Sequence, residues 1–137
     1  MKNKVLFILF LLSICATAQK SIPTNIKVSF ATKYPDVKKV KWEKEAENFE
    51  VGFVQNNQKC SALLNDKGDI LETEFEIPIA KLQKSILDYV AKNYAGQKIK
   101  SAAQITDSSK KVSYEAEVNG NDLLFDDEGN FIKATKN

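Results

Sequence analysis

The sequence of 137 residues contains no histidine and no arginine, because all 20 of its basic residues are lysines. The lack of histidine excludes Ser-His-Asp and Cys-His catalysis, ordinary zinc sites and an imidazole that titrates near neutral pH. The lack of arginine excludes a planar, bidentate clamp on phosphate or carboxylate. We therefore expect a protein that is not an enzyme and that holds neither a cofactor nor a metal ion.

The first 18 residues predict a secretory signal peptide. Lys2 and Lys4 precede an apolar run from Val5 to Ile14, and the segment 16–18, Ala-Thr-Ala, has the form of a cleavage site. The apolar run is short for a membrane span. We expect cleavage after Ala18 and a periplasmic or secreted protein that is not inserted in the membrane.

A lipoprotein anchored at Cys15 is the less favoured alternative, because Ile14 stands where a lipobox has a small residue.

Removal of the signal peptide would change both the charge and the cysteine content. Loss of residues 1–18 leaves 18 of the 20 lysines against 18 acidic residues, and such a chain is a poor ligand for nucleic acid. Cys60 would then be the only thiol, and its alternation with apolar neighbours predicts a buried residue.

An internal repeat dominates the rest of the chain. Apolar residues spaced by four occur twice, 60 positions apart, at Ile22, Ile26, Phe30 and Tyr34 and at Leu82, Ile86, Val90 and Tyr94. This spacing places each set on one face of a helix, where we expect core packing. Pro23 suits the first turn of the first helix, Pro35 ends that helix, and Gly96 follows the second one.

Each helix is followed by four short runs in which apolar and polar residues alternate, as in β-strands with one buried face. In the first copy the core-facing residues are Val40 and Trp42; Phe49, Val51 and Phe53; Cys60, Ala62 and Leu64; and Leu71, Thr73, Phe75 and Ile77. In the second copy they are Ile99, Ser101, Ala103 and Ile105; Val112, Tyr114, Ala116 and Val118; Leu123 and Phe125; and Phe131. Turn-forming residues separate the runs.

The repeat predicts an α+β fold. Each copy, about 20–76 and 77–137, is one helix followed by about four antiparallel strands. No linker separates the copies, so we expect a single domain over residues 19–137. Side by side, the copies can share an antiparallel sheet of about eight strands with both helices on one face.

The repeated motifs resemble those of a known family. They are a helix that ends in Tyr-Pro, then Val-Lys-Trp, Phe-Glu-Val and an Asp-x-Gly turn, with Tyr-Glu-Ala-Glu-Val and Asp-Glu-Gly in the second copy. Over about residues 22–135 the chain resembles the PepSY-like, beta-lactamase-inhibitor-like proteins. The resemblance implies tandem helix-and-sheet units like those of the beta-lactamase inhibitor protein, an open sheet face available to a partner, and a periplasmic or cell-surface setting. It does not imply inhibition of a beta-lactamase, since a shared fold is not a shared function.

Acidic residues on the side of the strands away from the core form the candidate binding surface. The predicted partner-binding residues are Glu50, Glu72, Glu74, Glu76, Glu115, Glu117 and Lys41. In the functional interpretation they form a docking surface for a segment rich in lysine or arginine. In the alternative, which the pattern alone favours, they are a solvated face with cross-strand Glu–Lys pairs. Lys39, Lys41 and Lys100 then partly offset the negative charge of the glutamates.

Two acidic segments could be mistaken for calcium loops. Residues 65–69 and 126–130 lack the distal glutamate that an EF-hand loop supplies, and Lys67 interrupts the first of them. We expect hairpin turns with a glycine at positive φ. A glycosidase-like carboxylate pair is also disfavoured, because carboxylates on an open face would be solvated.

Three hypotheses for function follow from these patterns. The first is an exported, non-enzymatic binding module that engages a protein or peptide of the cell envelope through its sheet face. The second is a proteinaceous inhibitor of a secreted hydrolase of the peptidase or beta-lactamase type. The third, an enzyme that acts on envelope polymers, is disfavoured by the missing histidine and arginine.

Overall fold

The computed structural model describes residues 21–136, so the predicted signal peptide with Cys15 and the cleavage site lies outside the described residues. Helix α1 spans Thr24–Lys33 and helix α2 spans Lys84–Asn93. The strands are β1 Val40–Glu45, β2 Asn48–Gln55, β3 Gln58–Leu64, β4 Ile70–Glu76, β5 Ile99–Asp107, β6 Val112–Val118, β7 Asn121–Asp126 and β8 Phe131–Lys136. Within the described part, neither helix has the length and apolar character needed to cross a membrane.

All eight strands form one antiparallel sheet in which their spatial order is their order in the chain. β4 and β5 join the two repeats through a continuous register from Glu72 opposite Asp107 to Glu76 opposite Ala103. The N–H of Ile77 extends this seam by donating to a carbonyl oxygen of β5 at 2.8 Å. The predicted α+β fold, with two helix-plus-four-strand repeats in a shared sheet, is confirmed.

Both helices pack on the same face of the sheet, and each repeat has its own core. Ile26 and Phe30 of α1 are buried against β1, β2 and β3 at Trp42, Phe49, Val51, Phe53, Cys60, Ala62 and Leu64. Ile86 and Val90 of α2 are buried against β5, β6 and β7 at Ala102, Ala116, Val118, Leu123 and Phe125. The stripe of residues spaced by four therefore faces the sheet in both helices, as the repeat predicts.

The aromatic residues of the first core surround Phe30. Its ring lies 5.6 Å from that of Trp42 and 5.1 Å from that of Phe53, both in edge-on geometry. Tyr34 and Tyr94 lie at the helix ends and are only half-buried, so they contribute to the margin of each core rather than to its centre. Cys60 is buried, as predicted, and its thiol lies 3.3 Å from the carbonyl oxygen of Gln58.

Polar side chains bind each helix, or the residue before it, to the last turn of its repeat. Pro23 precedes α1 rather than occupying its first turn, and Gln83 holds the equivalent position before α2. The Gln83 amide donates to the carbonyl oxygen of Asp127 at 2.6 Å, which is a bond that proline could not make. In the first repeat the Ser29 hydroxyl donates to the carbonyl oxygen of Gly68 at 2.6 Å.

The two acidic segments are hairpin turns, as predicted. Gly68 and Gly129 have φ values of 89° and 82°, which an L-residue with a side chain adopts only with strain. The carboxamide oxygen of Asn65 accepts two backbone N–H groups of its own turn at 3.0 and 2.9 Å, and a carboxylate oxygen of Asp126 does the same in the second repeat. Between residues 21 and 136, no group of three or more acidic or cysteine side chains is placed to hold a metal ion.

Strand β5 departs from the predicted alternation. Ala102 packs in the core under α2, whereas Ala103 and Ile105, which were predicted to face the core, point to the opposite face of the sheet. Two facts explain the difference. The register is irregular between Ile99 and Ser101, and two adjacent alanines leave the pattern ambiguous about which of them is buried under the helix.

We predict that the two repeats unfold as one cooperative unit, because the β4–β5 seam makes their strands one sheet. Ile26→Ala and Ile86→Ala each remove a fully buried side chain and should each lower the free energy of unfolding by about 2–5 kcal/mol. Both variants should show a single thermal transition. Val28→Ala, at a position 57% exposed on α1, is the matched control and should change stability by no more than about 0.5 kcal/mol. Two transitions, each sensitive to one substitution, would contradict the prediction.

Candidate functional site: a buried carboxylate face

The sheet face opposite the helices carries a group of acidic residues drawn from both repeats. We define the carboxylate face by its five most enclosed acidic residues, Glu50, Glu72, Glu74, Glu115 and Asp122. Their strands bring apolar side chains between them. Glu50 and Glu72 both lie opposite Leu63, Glu74 lies opposite Ile105, and Glu115 lies opposite Leu124.

The strand registers place all seven predicted partner-binding residues on this side of the sheet, but the seven do not form one cluster. Three of them are paired at its margins. Lys41 forms an ion pair with a neighbouring glutamate at 2.6 Å, and Glu76 pairs with Lys59 at 3.3 Å. Glu117 binds Lys100 at 2.8 Å, and this bond holds the pKa of Glu117 below its usual value.

The expectation that these glutamates are solvated is wrong for the centre of the face. The exposed fractions of Glu50, Glu72 and Glu115 are 3%, 8% and 8%, and that of Asp122 is 3%. Glu74 is half-buried, but its Oε2 atom is shielded from solvent. The carboxyl groups are excluded from water because they lie among buried leucine and isoleucine side chains on this second face.

A sequence signal for this burial exists, although alternation alone misses it. β3 ends in Ala62-Leu63-Leu64 and β7 contains Leu123-Leu124-Phe125, and these residues are all buried. Consecutive apolar residues are typical of strands that are covered on both faces. Leu63 and Leu124 therefore mark the carboxylate face as a second buried surface.

Four buried polar atoms on this face have no hydrogen-bond partner within residues 21–136. They are Oε1 of Glu50, Oγ of Ser61, Oε2 of Glu74 and Oε2 of Glu115. Ser61 lies directly opposite Glu74 and is 4% exposed. Each such group costs on the order of 1–3 kcal/mol of folding free energy, and native proteins leave few of them. Their concentration on one face is the most unusual feature of the described chain.

Burial raises the pKa of Glu50 to about 8, and the nearby carboxyl of Glu74 adds to the effect. Burial likewise raises the pKa of Glu72 to about 7, with a further rise from Asp107 and an opposing effect from Lys133. Lys133 belongs to β8 and lies on the same side of the sheet, opposite Leu124.

Glu74 and Glu115 belong to one group of interacting carboxyls. Burial is the main cause that raises the pKa of both; the charge of Asp122 raises both further, and the charge of Glu74 raises that of Glu115. Interacting carboxyls of this kind lose their protons in steps that belong to the group rather than to one residue. At neutral pH the repulsion among the glutamates is therefore relieved by protonation, rather than by the lysines that the sequence suggested.

The helix side of the sheet has a different concavity, which sequence reasoning missed. A cleft of about 640 Å³ lies between the end of α1, the β3–β4 turn and the β5–β6 turn. Its polar lining consists of Ser29, Thr32, Thr73, Thr106, Ser108, Lys33, Lys110, Asp107 and Tyr34. The Asp107 carboxylate is already engaged by the Ser109 hydroxyl at 2.7 Å and by two backbone N–H groups of its own turn. The one carboxylate that lines the cleft is therefore already engaged within its own turn.

The raised pKa values predict that the protein loses stability as the pH rises from 5 to 9. The pKa of such a carboxyl is near 4.5 in the unfolded chain and higher in the folded protein. Between these two pKa values the group is ionised in the unfolded chain and still protonated in the folded protein. Its stabilising contribution is complete below pH 4.5 and disappears as the pH passes through the folded-state value of about 8. Thermal unfolding across this range should show a melting temperature that falls by several degrees.

Variants that cannot ionise test the cause of this pH dependence. Glu50→Gln and Glu115→Gln should flatten the fall in melting temperature, because glutamine mimics the neutral carboxyl at every pH. Glu47→Gln, at an exposed position in the β1–β2 turn, is the control and should leave the slope unchanged. A wild-type melting temperature that is constant between pH 5 and 9 would show that the buried carboxyls titrate normally.

The chain matches a family described as putative beta-lactamase-inhibitor-like, PepSY-like, over residues 15–71 and again over residues 55–133. The two matched regions correspond roughly to the two repeats. None of the curated proteins matches the chain.

Solved structures of bacterial proteins share the fold. A DUF2874 family protein from Bacteroides uniformis has a TM-score of 0.73 at 14% identity, over 85% of this chain and 90% of that one. A putative periplasmic protein from Bacteroides eggerthii has a TM-score of 0.74 at 10% identity, over 85% and 89%. A BLIP-like protein from Bacteroides fragilis has a TM-score of 0.63 at 15% identity, over 85% and 89%. These identities show a common fold alone.

The repeated family match spans most of the sequence, and the chain belongs to the PepSY-like, putative beta-lactamase-inhibitor-like family.

Proposed function

We propose that this protein is an exported, non-enzymatic binding module that engages a protein or peptide of the cell envelope through its carboxylate face. The observation that carries the proposal is the set of four buried polar atoms without partners on that face. Buried polar groups in folded proteins are nearly always hydrogen-bonded. A partner that supplies the missing bonds would recover part of the free energy that these groups cost, and would be recognised by them.

Catalysis by the same carboxyls is the weaker interpretation. Acid–base pairs of the glycosidase type need environments that push two pKa values apart, so that one group donates a proton while its partner is ionised. Here burial raises the pKa of Glu50, Glu74 and Glu115 in the same direction. The nearby Glu117, whose pKa is lowered, is already bound by Lys100 and by the Ser101 hydroxyl rather than free to act as the ionised member of such a pair.

Export is part of the proposal because two observations agree with it. The sequence begins with a charged segment, an apolar run and a small-residue cleavage site, which is the pattern of a secretory signal. A solved structure with the same fold is that of a putative periplasmic protein. The mature protein would then begin at Gln19, and the buried Cys60 would need no disulfide partner.

Inhibition of a secreted hydrolase is the second candidate function. It is favoured by the family, which is described as putative beta-lactamase-inhibitor-like, and by the fold shared with a BLIP-like protein. In this case the face would dock against the enzyme rather than against a structural or signalling protein. The two candidates use the same surface and differ in the class of partner.

Capture of partners from a periplasmic extract tests the proposal. The protein should retain a partner that a variant with Glu50→Gln, Glu74→Gln and Glu115→Gln retains at least tenfold less. A control variant with Glu47→Gln, Asp88→Asn and Glu128→Gln changes three exposed acidic residues outside the carboxylate face and should behave as the wild type. Mass spectrometry of the eluate separates the candidates, since a hydrolase supports inhibition and a structural or signalling protein supports docking. Equal capture by all three proteins would place the interaction elsewhere.

A further inference from the structure

We propose that the carboxylate face receives a cationic side chain of its partner, a lysine or an arginine, at the unpartnered groups of Glu50, Ser61, Glu74 and Glu115, and that protons leave the face when this side chain binds. The inference rests on the proposed function, because it names the chemistry by which that same face would recognise its partner. It adds a specific contact and a dependence on pH that the proposed function does not require.

Glu74 is the centre of the arrangement. It lies in β4, beside the seam between the repeats, with Ser61 opposite it in β3. Its charge acts on Glu50 in β2 and on Glu115 in β6, so the three carboxyls share one region of the carboxylate face. Gly52 in β2, which is also buried, lies opposite Ser61 on the other side of β3.

The unpartnered groups distinguish this region from an ordinary acidic patch. Ser61 and Glu50 are 4% and 3% exposed, yet neither the Ser61 hydroxyl nor Oε1 of Glu50 has a hydrogen-bond partner within the described chain. The three carboxyl oxygens can accept a hydrogen bond once their groups ionise, and the Ser61 hydroxyl can donate or accept one. Three of the four atoms are carboxyl oxygens, so the expected donor is one that also carries positive charge.

The charged groups around this region favour a cation over an anion. Those that share its side of the sheet are Lys41, Glu43 and Glu45 of β1, Lys59 of β3, Glu72 and Glu76 of β4, Asp107 of β5, Glu117 of β6, Asp122 and Asp126 of β7, and Lys133 of β8. Lys41 and Lys59 are already paired with Glu43 and Glu76. The surroundings therefore carry a surplus of acidic groups.

The proposed binding step balances in charge and in protons. In the free protein the carboxyls are held largely neutral, because burial favours the uncharged form. When an ammonium or guanidinium group enters, the O–H bond of a carboxyl breaks and its proton passes to the solvent. The partner's N–H groups then donate to the carboxylate, and its positive charge takes the place of the proton that left.

Pentalysine is a suitable probe, because it presents lysine side chains on a short flexible chain. Titration at low ionic strength should shift the backbone amide signals of Gly52, Ser61 and Glu74. Calorimetry in two buffers of different ionisation enthalpy should show that about one proton is released on binding. Release of one proton makes binding about tenfold tighter for each unit by which the pH rises between 6 and 8.

Matched variants and a matched peptide define the outcome. The triple variant Glu50→Gln, Glu74→Gln, Glu115→Gln should bind pentalysine at least tenfold more weakly, and Glu74→Gln alone serves if the triple variant does not fold. The exposed-acid control, Glu47→Gln, Asp88→Asn, Glu128→Gln, should bind as the wild type. Pentalysine acetylated at every Nζ should not bind.

Four results would overturn the inference: no binding to the wild type, equal loss in both triple variants, binding of the acetylated peptide, or no proton release. If pentalysine fails while capture from extract still depends on Glu50, Glu74 and Glu115, the proposed function stands and only the cationic contact is refuted. If capture is also independent of these residues, both proposals fail.

Discussion

The pairing of β4 with β5 is the constraint on which the rest of the structure depends. Either repeat alone would offer a four-stranded sheet with one helix over it, and its second face would carry only part of the acidic group. The register from Glu72 opposite Asp107 to Glu76 opposite Ala103 turns the two sheets into one. It also brings Glu74 of the first repeat close enough to Glu115 of the second to raise the pKa of Glu115. The carboxylate face is therefore a property of the joined repeats.

The two faces of this sheet are built on opposite physical principles. The face under the helices buries apolar side chains in two cores, and this burial supplies most of the free energy of folding. The carboxylate face buries Leu63, Ile105 and Leu124, but it also encloses carboxyl groups whose desolvation opposes folding. Replacement of Glu50 or Glu115 by an apolar residue would remove that cost. An arrangement that is unfavourable for the isolated fold is typical of a surface shaped by binding.

Much of the fold follows from sequence, because its main signals are local and occur twice. The residues spaced by four in α1 and α2, together with the Gly68 and Gly129 turns, specify the helices, the hairpins and their order. The environment of the carboxyls does not follow in the same way. Alternation assigns Glu50 and Glu115 to the face away from the helices, but it cannot tell whether neighbouring leucines then exclude water. That depends on contacts between strands distant in sequence, such as the effect of Lys133 on Glu72. The irregular register of β5 is similarly set by its partners and not by its own residues.

The most direct test of this account is the titration of the glutamate side-chain carboxyl carbons by carbon-13 NMR. Single Glu→Gln variants assign the signals of Glu50, Glu74 and Glu115. The account predicts that these carboxyls are still largely protonated near pH 7, with midpoints well above the 4.5 of an ordinary glutamate, and that those of Glu74 and Glu115 titrate together. Midpoints between about 4 and 5 for all three would contradict it. The face would then be an ordinary solvated surface, and neither the burial nor the proton-linked recognition derived from it would hold.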